Sequence, residues 1–112
     1  MRSSGHWMNE RKAAAMIGFA QKAGKAAGGE FAAEKAVRSG SAYLMLIATD
    51  ASENTRKKFT NMAAWYHVPV YTFLSRTELG RVQGKGARAC IVITDEIFAR
   101  VIEAQLKEEE TE

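Results

Sequence analysis

Residues 25–40 read KAAGGEFAAEKAVRSG, a short extended piece ended by two glycines and followed at once by an alanine-rich helix carrying Lys35 and Arg38. The same strand-then-helix order recurs along the chain. Gly28 and Gly29 have no Cβ, so the backbone there is free to take φ > 0 and let another molecule approach closely. The first turn of the next helix leaves backbone N–H groups unpaired, with partial positive charge. With Lys35 one turn further in, the stretch offers a seat for a phosphate backbone. The same glycine pair also suits a strand-to-helix turn that binds nothing, so its use depends on its surroundings.

Upstream, Asn9 is placed to cap a first helix running to about Ala23, with Ala13, Met16, Ile17 and Ala20 on one apolar stripe and Gly24 as the stop. Downstream, Gly40 ends the glycine-led helix, and YLMLIA (residues 43–48) is apolar without alternation, as in a central strand covered on both faces. Asp50 and Glu53 have capping-box spacing, with Ser52 as a rival cap, ahead of a helix to about Tyr66. Phe59, Met62, Ala63 and Tyr66 form its core stripe, and Arg56, Lys57 and Lys58 crowd its first turns. VPVYTF (residues 68–73) is a second strand, and Pro69 at its start favours an edge position or a strand entry. Ser75 and Glu78 form another capping box on a short helix to about Val82. GKGAR (residues 84–88) is a tight basic loop, and residues 89–94 are a buried strand. Thr94 or Asp95 caps the last helix, with Phe98, Val101, Ile102 and Leu106 facing inward. The order αβαβαβαβα with short connections gives an α/β fold: a three-layer α/β/α sandwich around a small mixed four-stranded sheet.

At 112 residues, with 46% hydrophobic and 26% charged side chains, the chain has the size and composition of one globular domain. It holds no apolar run of the roughly 20 residues that a membrane-crossing helix needs. Residues 1–8 (MRSSGHWM) read as a leader outside the fold, residues 9–107 as the domain, and residues 108–112 as an acidic tail. The net charge of +3 is unevenly spread: without residues 103–112, which hold five glutamates and Lys107, it is +7. A basic body with an acidic tail points to an anionic partner, nucleic acid first among them.

Catalytic chemistry finds little support. GRVQGK (residues 80–85) is one residue short of a phosphate-binding loop, has Gly86 where Ser or Thr belongs, and lies between a helix and a strand in the wrong order. His6 and His67 are the only histidines and stand apart. The single cysteine, Cys90, lies in the apolar run ARACIVIT, fitting a buried hydrophobe in a reducing, cytoplasmic setting. No nucleophile–base pair, metal cluster or cofactor motif emerges. Asp50, Glu53, Asp95 and Glu96 follow strand ends, where capping and dipole compensation account for them.

Nucleic-acid binding has more behind it. Lys25, Lys35, Arg38, Lys85 and Arg88 flank the two glycine loops, and Lys22 and Arg81 extend the patch. With both loops on one rim, a basic edge forms around backbone N–H groups and grips phosphates with little sequence choice. Phe31, in the first helical turn, is placed either to stack on an unpaired base or to join the core as a staple of the helix start.

AGGEFAAEKAVRSGSAYLMLIATDASENTRKKF, then VPVYTFLSRTELG, GKGARACIVI and DEIFARVI, resemble the L-seven-Ae family of ribosomal and kink-turn RNA-binding proteins, in its YlxQ-type bacterial branch. The resemblance runs from about Asn9 to Leu106. It implies a three-layer α/β/α sandwich that binds structured RNA without catalysis; the chain is expected to be a cytoplasmic monomer, ribosome-associated or acting on another structured, non-coding RNA. In that family a Gly-x-Asn-Glu-x-x-Lys motif opens the second helix and touches sheared purine pairs of a kinked internal loop. Gly29 and Lys35 match its ends, whereas Phe31 takes the asparagine place and Ala32 the glutamate place, so the polar readout of kink-turns is missing. Gly28 and Glu30 complete the cradle, and the second RNA-contacting loop falls on Lys85, Ala87 and Arg88. The alternative is a protein-interaction module of the translation or transcription machinery using the same rim.

Overall fold

Each apolar run of the sequence becomes a strand, and each is cut off by polar residues that open the next helix. A computed structural model describes residues 3–110, with side chains for residues 10–107. Its elements are α1 (Ser3–Lys22), β1 (Ala26–Gly28), α2 (Glu30–Arg38), β2 (Leu44–Ile47), α3 (Glu53–Trp65), β3 (Val70–Thr72), α4 (Arg76–Val82), β4 (Cys90–Ile93) and α5 (Glu96–Glu110). The strands form one sheet in the order β1-β4-β2-β3. β4 runs antiparallel to both β1 and β2, and β2 runs parallel to β3. Among the described elements, α2 and α3 pack on one face, and α1, α4 and α5 group on the other. The chain is an α/β/α sandwich with a mixed sheet.

Every residue of β2 and β4 is buried, as unbroken apolar runs in a doubly covered sheet require. Ala13, Ile17 and Ala20 of α1, Phe59 and Ala63 of α3, and Ile102 of α5 close over them. Pro69 precedes β3, which is an edge strand. Tyr71 at this edge donates its hydroxyl to Glu103 of α5 at 2.9 Å, tying the sheet to the outer layer.

Four local expectations change. α1 begins at Ser3, so Asn9 lies inside the helix instead of capping it; Met1, Arg2 and residues 111–112 lie outside the described residues. Ser52, and not Asp50, caps α3, accepting from the Thr55 N–H at 3.2 Å. Tyr66 is exposed and leaves the core stripe. The four-residue strand β2 spans about 13 Å, whereas the thirteen-residue α3 spans about 20 Å. Met62 and Ala63 are the last core residues of α3, and Trp65 and Tyr66 at its end are exposed. Val101 likewise faces out, and Ala99 takes the inward place beside Ile102. The Ser75–Glu78 capping box forms in both directions, and Asp95, of the two rivals, accepts from the Phe98 N–H at 2.9 Å.

Candidate nucleic-acid interface

Strand direction builds the site. Gly28 pairs with Ile91, Ile47 with Cys90 and Ile47 with Thr72. The last residues of β1, β2 and β3 and the first of β4 thus share one rim. α2, α3 and α4 all start there, and residues 84–89 run along it into β4. Three helix N-termini at one edge concentrate positive backbone potential.

The two glycine loops meet on this rim. The Gly29 N–H donates to Cys90 O at 2.9 Å. Gly29 is the N-cap of α2 at φ +92°, ψ +160°, and no side chain caps the helix start, so the first-turn N–H groups face outward. A Cβ built on Gly29 would stand 3.6 Å from Cδ of Arg88. The Arg88 Nε is buried and donates to no protein atom, while Nη1 reaches Ala87 O at 3.2 Å. Residues 84–88 are held down on α4: the Lys85 N–H donates to Gly80 O at 2.8 Å and the Arg88 N–H to Arg76 O at 3.0 Å. Gly80 is obligatory, because a Cβ there would overlap the carbonyl oxygen of Gly86.

Neighbouring loops brace the rim. The Ala48 N–H donates to Ala89 O at 2.8 Å and the Thr49 N–H to Leu74 O at 2.7 Å. Leu74 holds φ +65°, a left-handed conformation that a leucine adopts only under constraint. Asp50, freed from capping α3, accepts from the Arg76 N–H at 2.8 Å and pairs with its guanidinium at 3.8 Å. Thr55 donates its hydroxyl to Glu30 at 3.3 Å, fixing the start of α2 against α3.

The structure brings together Gly28, Gly29, Glu30 and Phe31 at the α2 start with Lys85, Ala87 and Arg88 of the facing loop. Lys35 is exposed in the second turn of α2. Phe31 is 83% exposed, so it is no part of the core. Lys25 lies at the other end of β1, where its carbonyl accepts from the Thr94 N–H at 2.8 Å. Arg38 lies in the last turn of α2, bonded through Nε to Glu34 at 2.9 Å. Lys58 holds the other oxygen of Glu34 at 3.2 Å, and Arg38 first, then Lys58, keep that carboxyl below its usual range. Two rim cations were not among the site residues expected from the sequence, although Arg56 was noted in the first turns of its helix. Arg76 opens α4, and Arg56 donates to Thr49 O at 3.2 Å. Each follows a strand end and a capping residue, which is the signal that marks them.

Burial pushes the Cys90 thiol up to about 12, with the Glu30 charge adding to it. Among the described residues no group of three His, Cys, Asp or Glu is placed to hold a metal, and no helix is long and apolar enough to cross a membrane.

The sequence pattern of the ribosomal protein L7Ae/L30e/S12e/Gadd45 family matches residues 11–102. The chain belongs to that family. Two similar proteins each carry the name RNA-binding protein YlxQ. That of Bacillus subtilis (strain 168) is 42% identical over 84 residues, 75% of this chain and 84% of its own length. That of Enterococcus faecium is 37% identical over 92 residues, 82% of this chain and 88% of its own. A solved structure of a protein with unknown function from Bacillus halodurans C superposes with a TM-score of 0.82 at 32% identity, covering 86% of this chain and 97% of that one. The family is named for ribosomal proteins and the two relatives for RNA binding; none of these names is that of an enzyme.

Proposed function

We propose that this L7Ae-family chain is a non-catalytic RNA-binding protein, cytoplasmic and monomeric, that grips ribosomal or another structured RNA in association with the ribosome. The close approach of the Arg88 side chain to Gly29 carries the reading, because it sets an uncapped helix N-terminus beside a half-buried guanidinium whose buried Nε is an unused donor. The first-turn backbone N–H groups of α2, after Gly28 and Gly29 have shaped the turn, and the cations Lys35, Lys85 and Arg88 meet phosphates, with Glu30 shaping the cradle. These contacts position the RNA without reading its sequence. Phe31 supplies the recognition that the family's polar pair supplies elsewhere, by stacking on an unpaired base. Kink-turn geometry is then accommodated and not demanded.

The deciding experiment is a filter-binding titration of an internal-loop RNA at several salt concentrations, for the parent chain and for Lys35→Ala with Arg88→Ala. The parent's log affinity falls linearly with log salt, and the double variant loses a slope of about 1.5 units, at ~0.7–0.9 per phosphate. No binding at low salt, or a double variant indistinguishable from the parent, removes the proposal. In direct competition, a kink-turn RNA and a hairpin with a purine bulge displace each other at similar concentrations. A strong kink-turn preference would show that base edges are read after all.

A further inference from the structure

A second recognition site lies at the far ends of α2 and α3. There Arg38, Lys58, Asn61, Met62, Trp65 and Tyr66 line an open pocket of about 400 Å³. Of these, Met62 is buried and Trp65 is 78% exposed. An indole this bare at the end of a helix contributes nothing to the core, and such groups mark contact surfaces. Phe31, Lys35 and Arg38 lie at i, i+4 and i+7 on α2, all exposed, so one face of that helix leads from the glycine rim to this pocket. The path from Phe31 to Arg38 is about 10 Å along the helix, the length of about three stacked nucleotides at ~3.4 Å each.

From this continuity we infer that the pocket receives one unpaired base of an RNA strand leaving the glycine rim, stacked on Trp65; the inference rests on the RNA reading of the rim. Charge fits one nucleotide and not a run of them. Glu34 pairs with both Arg38 and Lys58, leaving the group one net positive charge, enough for one phosphate. The carbonyl ends of both helices point this way and oppose a denser phosphate array. The Asn61 amide offers a donor and an acceptor together, the pattern of a base edge, whereas a carboxylate of an acidic peptide needs donors alone.

The test uses an internal-loop RNA with blunt ends and the same RNA with a single-stranded extension of six adenosines. The parent is the full chain carrying Trp7→Phe, which leaves Trp65 as its sole tryptophan. The extended RNA binds about tenfold tighter than the blunt one, in line with one stacked base, and quenches Trp65 fluorescence. Trp65→Ala keeps the circular dichroism spectrum and the blunt-RNA affinity and loses the gain; Trp65→Phe recovers part of it. The inference is overturned if the blunt RNA binds while the extension adds neither affinity nor quenching. It is also overturned if a Glu- and Phe-rich peptide quenches Trp65 at lower concentration than hexa-adenylate, which would give the pocket to a protein partner. Failure of the blunt RNA to bind strikes the rim alone. The pocket is then judged by free hexa-adenylate, whose quenching of Trp65 supports the base site and whose silence ends it.

Discussion

Gly29 sits at φ +92°, ψ +160°, a region closed in practice to every residue with a Cβ. The room around it is adequate, since the nearest atom to a built Cβ is Arg88 Cδ at 3.6 Å. Backbone strain, and not collision, therefore sets the penalty of Gly29→Ala, at about 1–3 kcal/mol. Urea unfolding of the variant reads this as a lower midpoint with an unchanged slope, and a variant as stable as the parent would mean that the turn relaxes freely. Cys90 makes a different residue-scale prediction. Burial raises its thiol to about 12 in the folded chain, while the unfolded thiol ionises near about 8.5. Between those values the folded state holds the proton and the unfolded state releases it, so stability is intact below the unfolded value and falls as pH rises, by ~1.4 kcal/mol per unit. Comparing denaturation midpoints at pH 8 and 10 shows a drop that Cys90→Ala does not share. Equal drops in both chains would place the loss in other groups.

At the scale of elements, α2 and the loop of residues 84–88 contribute to binding in separable ways. Phe31 is bare, so Phe31→Ala leaves stability within about 0.5 kcal/mol and lowers RNA affinity by the worth of one stacked base, ~1–3 kcal/mol. Gly80→Ala acts inversely: its methyl group meets the backbone of Gly86, so the loop shifts, and both stability and RNA affinity fall. A thermal melt beside a binding titration separates the two, and a Phe31→Ala melt lowered by several degrees would put that ring in the core. The elements themselves were legible because apolar runs, glycine stops and capping pairs are local. What local pattern left undecided was settled by partners distant in sequence. Asp50 and Ser52 were rivals until Asp50 crossed to the Arg76 N–H. Tyr66 and Val101 fell on apolar spacing, but spacing does not say where the sheet ends. Arg56, noted only as crowding its helix start, and Arg76 were not assigned to the rim for a related reason, since only strand direction shows that α3 and α4 start beside Gly29.

The whole molecule carries its charge unevenly, and the fold decides where each part goes. Strand order was not legible, because a pairing such as β1 with β4 closes a loop of some sixty residues and leaves no local mark. Once known, it fixes the course of α5. β4 enters the sheet at the glycine rim and leaves at the far end, so α5 must return toward the rim. Tyr71, midway along the edge strand, meets Glu103, midway along α5, which puts residue 110 about 10 Å further toward the rim. The end of α5 is thus carried toward the end of the molecule where the cations gather, and removal of residues 108–112, with their four glutamates, raises the net charge from +3 to +7. Charges placed within a Debye length of a binding surface compete with phosphates at low salt and are silent at high salt. A chain ending at Lys107 accordingly binds internal-loop RNA several-fold tighter than the full chain at about 0.05 M salt, and equally at about 1 M, where screening extends only ~3 Å. The gain appears in the association rate, since it comes from long-range repulsion and not from a broken contact. Equal affinity at low salt would separate the tail from the rim. A gain that persisted at 1 M would instead mean that the tail occupies the site by direct contact.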